Sequence, residues 1–127
     1  MKREKILTID DDVDMLFVER LLLEREGYEV FTAKSGQSAL EMIPKIPDLD
    51  LILCDVEMDQ MGGIEFVRRL EGEYQFIFKK TPVVLVTGYD RPPQAHVAGY
   101  IQKGAALSEF AAQVRHFLAT AETGMMQ

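Results

Sequence analysis

Apolar residues recur along the chain with two different spacings. In four segments they lie three and four residues apart, Val13-Leu16-Phe17-Leu21, Ala39-Leu40-Ile43, Phe66-Val67-Leu70 and Leu107-Phe110-Ala111-Val114-Phe117-Leu118, the spacing that gathers side chains on one face of a helix. Between them fall short runs of β-branched, aliphatic or aromatic residues, Ile6 to Ile9, Tyr28 to Thr32, Leu51 to Cys54, Val83 to Val86 and Tyr100 to Gln102, which predict five strands. Gly27 follows the first helical segment as a C-terminal cap, Pro44 and Pro47 follow the second, and Pro82 opens the fourth strand. Strands alternating with helices predict an α/β domain, a parallel sheet covered on both faces, with each helix laying its apolar face on the sheet. The near-continuous apolar third and fourth strands suit its centre.

The rhythm breaks once. Gly88 to Gly99, where a crossover helix belongs, holds Pro92-Pro93, which remove two backbone donors and push Arg91 away from helical geometry. About one or two turns fit between Pro93 and Ala98, so the fourth helix is expected to be stunted or missing.

Composition narrows the classes. The 127 residues suit one domain, and 47% hydrophobic with 28% charged residues is ordinary globular composition. Net charge is −7 and the basic residues are scattered, which disfavours direct nucleic-acid binding. Apolar runs are strand-sized and Met1-Lys2-Arg3-Glu4-Lys5 leads straight into a strand, so neither membrane insertion nor a signal peptide is expected, and the chain reads as cytoplasmic. The single cysteine, Cys54, lies in an apolar run and reads as a buried core residue.

The candidate chemistry sits where apolar runs end. Asp10, Asp11 and Asp12 close the first strand and Asp55 the third, and parallel strands deliver their carboxyl ends to one edge of the sheet. Asp12 and Asp14 read as caps and charges of the following helix N-terminus. Asp10, Asp11 and Asp55 would converge, and clustered carboxylates call for a cation; all-oxygen ligands suit Mg²⁺. Thr87 ends the fourth strand and Lys103 follows the fifth, at the same edge. A carboxylate nucleophile, a divalent ion and donors for oxyanions are what phosphoryl transfer needs. Asp55 is assigned as the nucleophile. Asp11 and Asp55 bind Mg²⁺ directly, Asp10 does so through a water, and the backbone carbonyl of Glu57 joins them. Lys103 pairs with Asp55 and then with the phosphoryl group, and Thr87 offers it a hydroxyl beside the open space at Gly88.

Over nearly its whole length the sequence resembles the receiver domain of two-component response regulators. The matching pieces are Ile6-Leu7-Thr8-Ile9-Asp10-Asp11-Asp12, Leu51 to Met58 with Met61 and Gly63, Val83 to Gly88, and Tyr100-Ile101-Gln102-Lys103. The resemblance implies a flavodoxin-like, doubly wound five-stranded sheet in order 2-1-3-4-5. It also implies Asp55 as phosphoacceptor, Asp10 and Asp11 as metal-binding acids, and Thr87 with Tyr100 as the switch residues. Three positions depart from the family pattern: Asp59 and Gly104 stand where prolines are usual, and Gly62 where aspartate is usual.

The expected function is a phosphoacceptor signalling domain, covering residues 1–121 with a short tail over 122–127 and no output domain, unless the chain is a piece of a longer protein. It is not a classical enzyme, though it assists its own phosphorylation and dephosphorylation. It would take a phosphoryl group from a histidine kinase or phosphotransfer protein, stay monomeric, and switch a surface that binds a downstream protein. The alternative is a receiver-fold scaffold that signals without phosphorylation, favoured only by the broken crossover. A haloacid-dehalogenase-like phosphatase ranks lower, because it needs a second aspartate where Glu57 stands. A flavin-binding module ranks lower too, because Asp10 to Asp12 would repel the flavin phosphate.

Overall fold

The computed structural model describes residues 2–88, 94–104 and 106–125, the last four through their backbone. Five strands, β1 (Lys5–Ile9), β2 (Glu29–Ala33), β3 (Leu51–Asp55), β4 (Val83–Thr87) and β5 (Gly99–Gln102), form one parallel sheet in the order β2-β1-β3-β4-β5. Five helices pack on it: α1 (Val13–Arg25), α2 (Gly36–Met42), α3 (Gly63–Glu73), α4 (Gln75–Lys80) and α5 (Leu107–Met125). Successive strand residues point to opposite faces. Leu7, Ile9, Ile52, Cys54 and Leu85 join Leu40, Phe66 and Leu70 on one side of the sheet. Ile6, Leu51, Leu53, Val84 and Val86 join Leu23, Phe110, Val114 and Leu118 on the other. Strands β3 and β4 are buried at every position, as central strands covered on both faces must be.

Local signals set the helix ends. Asp12 caps α1, its carboxylate accepting from the amides of Asp14 and Met15. At the other end Gly27, at φ 97°, lets its own amide and that of Tyr28 reach the carbonyls of Glu24 and Leu23, a Schellman stop. Ser35 caps α2 through the amide of Ser38.

Three differences from the sequence-based expectations have physical causes. Helix α1 does not lay Val13, Leu16, Phe17 and Leu21 on the sheet. Val13, Phe17 and Leu21 form an exposed stripe, while Leu16, Glu19 and Leu23 face inward. The run Leu21-Leu22-Leu23 is apolar at every helical phase, so spacing alone does not fix which side turns in. Helix α4 was not expected: at six residues, with Phe76 exposed, it is too short to show a period. It precedes β4, whereas the crossover from β4 to β5 shows no helix at residues 88 and 94–98. Tyr89 to Pro93, which include the prolines behind that expectation, lie outside the described residues. Helix α5 continues to Met125, into the segment expected as a tail, and residues 126–127 lie outside the described part.

Two glycines in α3 separate packing from propensity. A Cβ on Gly63 would come within 2.5 Å of the Asp55 carbonyl oxygen, a backbone atom that cannot move without shifting β3, whereas a Cβ on Gly72 meets nothing within 4 Å. Gly63→Ala is therefore expected to destabilise by about 1–3 kcal/mol. Gly72→Ala should stabilise by up to about 1 kcal/mol through helix propensity. Urea denaturation of both variants checks the opposite signs.

Candidate functional site

The carboxyl ends of β1, β3, β4 and β5 meet at one edge, and β1, β3 and β5 deliver charge there. Asp10 follows β1, its amide held by the Ala33 carbonyl at the end of β2 and its Oδ1 accepting from the Asp12 amide at 3.0 Å. Asp55 is the last residue of β3, and its Oδ1 accepts from the Glu57 amide at 3.3 Å. Both carboxylates are buried, while Asp11 is exposed. One carboxylate oxygen from each of Asp10, Asp11 and Asp55 lies within 4.8 Å of the others, the one such metal-sized cluster among the described residues. Three hard oxygen donors at this spacing, each carboxylate held by a backbone amide, fit Mg²⁺.

Lys103 supplies the opposing charge. Its Nζ lies 2.7 Å from Asp55 Oδ2 and 3.6 Å from Asp10 Oδ2. Its amide donates to the Thr87 carbonyl at 2.7 Å, which fixes the start of the turn after β5. Gly104 next to it takes φ 89°, a left-handed conformation closed to proline, so the departure from the family pattern at this position matches the backbone. Thr87 is buried at the end of β4. Tyr100 is half-buried in β5, packed against the core face that carries Leu85.

The other two departures are equally local. The Asp59 amide donates to Asp11 Oδ2 at 3.0 Å. Proline has no such donor, so aspartate at this position ties the loop after β3 to an acid of the cluster. Gly62, the N-cap of α3, makes no side-chain cap where an aspartate could.

The sequence-predicted residues Asp10, Asp11, Asp55 and Lys103 thus come together, with Thr87 adjoining them through the backbone of Lys103. For Glu57 the structure gives the amide contact to Asp55. The sequence reading missed Glu19. This residue is 4% exposed on the inner face of α1 and accepts a hydrogen bond from the Thr8 hydroxyl. The available signal was its position three residues after Leu16 and four before Leu23, on the face those two leucines share.

Burial dominates the electrostatics. It raises the Asp10 carboxyl, helped by the charge of Asp55, although the Asp12 amide and Lys103 act in the other direction. It pushes Glu19 up to about 7, with Asp10 and Asp55 adding to the effect and the Thr8 hydroxyl and Lys103 opposing it. Burial pulls the Lys103 ammonium down, but its bond to Asp55 and the charges of Asp10, Asp55 and Glu19 prevail, leaving it raised.

Comparison with known proteins gives the site its family. The model of the response regulator receiver domain matches residues 6–115. The sensor kinase/phosphatase CqsS of Vibrio cholerae, described as a CAI-1 autoinducer sensor, is 35% identical over 69% of this chain and 12% of its own length. The transcriptional regulatory protein CpxR of Escherichia coli is 36% identical over 65% of this chain and 33% of its own length. The chain therefore spans a third or less of these relatives. Among solved structures, the chemotaxis protein CheY4 of Vibrio cholerae superposes with a TM-score of 0.82 at 27% identity, covering 91% of this chain and 99% of that one. The chain belongs to the receiver-domain family of two-component response regulators.

The buried acids set a pH dependence. Between pH 4.5 and about 7 the folded protein holds a proton on Glu19 that the unfolded chain has released, so stability is highest below this window and falls as pH rises through it. The raised Asp10 carboxyl acts in the same direction. A rise from 4.5 to about 7 on Glu19 corresponds to about 3 kcal/mol. Without metal, wild type is expected to unfold at higher urea concentration at pH 5 than at pH 8, with the difference largely removed in Glu19→Gln. An equal pH dependence in the variant would contradict the assignment.

Proposed function

We propose that this receiver domain is phosphorylated on Asp55 by a histidine kinase or phosphotransfer protein and passes the change to a protein partner. The carrying observation is the convergence of three carboxylates and one lysine at the carboxyl edge of the sheet. In the transfer a carboxylate oxygen of Asp55 attacks phosphorus. The new P–O bond forms as the P–N bond to the donor imidazole breaks, and the imidazole keeps the electron pair and picks up a proton. Asp11 and Asp55 directly, Asp10 through a water, and the Glu57 carbonyl would hold Mg²⁺, which when bound would supply positive charge for the phosphoryl oxygens.

The protein's own groups do the rest. Lys103, already on Asp55 at 2.7 Å, follows the charge onto the phosphoryl group. Thr87 brings a hydroxyl toward a phosphoryl oxygen from the end of β4. Tyr100, next to β4 in register with Leu85, adjusts to the vacated space and carries the change along β5. Among the described residues no helix is long and apolar enough to cross a membrane. A cytoplasmic setting, where such kinases present their phosphohistidine, suits the reading.

Incubation with acetyl phosphate and Mg²⁺ is expected to add one phosphoryl group by intact mass, acid-stable and base-labile. Asp55→Asn should abolish it; uptake at the wild-type rate in that variant would sink the assignment, whereas no uptake by wild type would leave a scaffold as the better reading. Mg²⁺ at ten times its dissociation constant should stabilise the fold by about 1.4 kcal/mol. Asp11→Asn should melt higher than wild type without metal and lose most of this response.

Thr87 is predicted to report the phosphoryl group rather than to bind it tightly. In Thr87→Ala, amide NMR shifts caused by beryllofluoride should persist at Asp55 and shrink at β5 and α5. Full-sized shifts at those distant amides would exclude the coupling role.

A further inference from the structure

The chemistry above leaves Glu19 unused, although this carboxyl is buried and lies beneath the acidic edge. Thr8, which donates to it, stands two residues before Asp10 on β1, so both point to the same face of the sheet, about 7 Å apart along the strand. Lys103 Nζ reaches Asp10 at 3.6 Å from above. Glu19 and Lys103 line one cavity of about 60 Å³, together with Leu22, Val86, Ile101 and Phe110. That volume admits a water and leaves the lysine stem room to turn. A buried carboxylate needs a cation or several donors to offset its lost hydration. The Thr8 hydroxyl is one donor, and Lys103 is the cation bordering the cavity.

We propose that Glu19 is a second berth for the Lys103 ammonium, a positioning residue that competes with Asp55 for it. The inference rests on the phosphoryl-transfer reading of Asp55. While Lys103 sits on Asp55 at 2.7 Å, it withdraws electron density from the carboxylate that must attack phosphorus. Once the charge of Asp10 and Asp55 is neutralised, their hold on Lys103 weakens. Glu19 then keeps the ammonium inside the site, a side-chain rotation away from the phosphoryl oxygens it meets after transfer. The mutual influence of the two charges fits: Lys103 lowers the Glu19 carboxyl and Glu19 raises the Lys103 ammonium.

The double variant Asp10→Asn, Asp55→Asn tests the berth without metal or phosphate. It relieves repulsion, so the fold is not at risk. Its crystal structure is expected to show Lys103 Nζ within about 3.2 Å of a Glu19 oxygen, directly or through one water. A lysine turned to solvent overturns the proposal. Kinetics supply the second reading. Glu19→Gln keeps the size and the acceptor for Thr8 but loses the charge, and should slow acetyl phosphate uptake at saturating Mg²⁺ about five-fold, the scale of about 1 kcal/mol in a barrier. Thr8→Ser keeps both the donor and the Glu19 charge and should stay within about two-fold of wild type. An unchanged rate in Glu19→Gln, or equal slowing in both variants, overturns the proposal in favour of a purely structural glutamate. If wild type takes up no phosphoryl group, the reading of Asp55 fails, and the position of Lys103 in the double variant still decides the berth.

Discussion

The charge on Lys103 is what allows the carboxyl edge of this sheet to exist in its present form. Strand order places β4 between β3 and β5, so a cation after β5 must reach over the end of β4 to meet Asp55. The fold prepares that reach. The Lys103 amide is pinned on Thr87, and Gly104 turns the chain away immediately afterwards in a conformation that proline cannot take. A Cβ at Gly88 meets nothing within 4 Å, so packing does not demand glycine there, and the open space above β4 is left to the lysine and to whatever binds beside it. Burying Asp10 and Asp55 without this ammonium would cost several kcal/mol per charge.

The strands and the site were legible in the sequence for one reason. In a doubly wound parallel sheet the apolar run fixes the strand, and the first polar residue after it falls at the functional edge. Asp10, Asp55 and Thr87 are each found by reading where an apolar run stops, and Lys103 by the same rule applied to a weaker strand. Helix phase is harder to read. Helix α1 has apolar residues on all sides, and the choice among phases is made by tertiary packing, which accepts Glu19 inside because Thr8 supplies a donor there. A sequence rule that turns glutamate outward selects the wrong face. Helix α4 escapes for lack of length, since six residues complete fewer than two turns.

The positions that depart from the family pattern are also where the loops make their own bonds. The Asp59 amide on Asp11 draws the loop after β3 over the cluster, so the exposed acid is held from outside while the two buried acids are held from below. Gln60 at φ 66° carries the turn this requires, a conformation that costs a non-glycine residue roughly 1 kcal/mol or more. Met61 then returns to the core and rests on Gly36, where a Cβ would come within 2.6 Å of its sulfur. The loop is thus anchored at Asp11 and again at α2, and a change in the bonding of Asp11 has a direct path to the start of α3.

Glu19 gives the same argument depth on the other face of the sheet. An acid placed beneath an acidic edge raises the electrostatic cost of the metal-free fold, and packing offers no return for it, since an apolar residue would fill the space beside Leu16, Leu22 and Leu23 at least as well. Such a residue is accounted for when the cation above it has more than one place to be. Lys103 is attracted by three carboxylates and directly bonded to one, and the balance among them shifts whenever the charge at Asp55 changes. A lysine with a single partner can only hold or release it. A lysine between Asp55 and Glu19 turns a change of charge at the end of β3 into a side-chain movement between β5 and α1, and α1 is the helix whose Val13, Phe17 and Leu21 face outward.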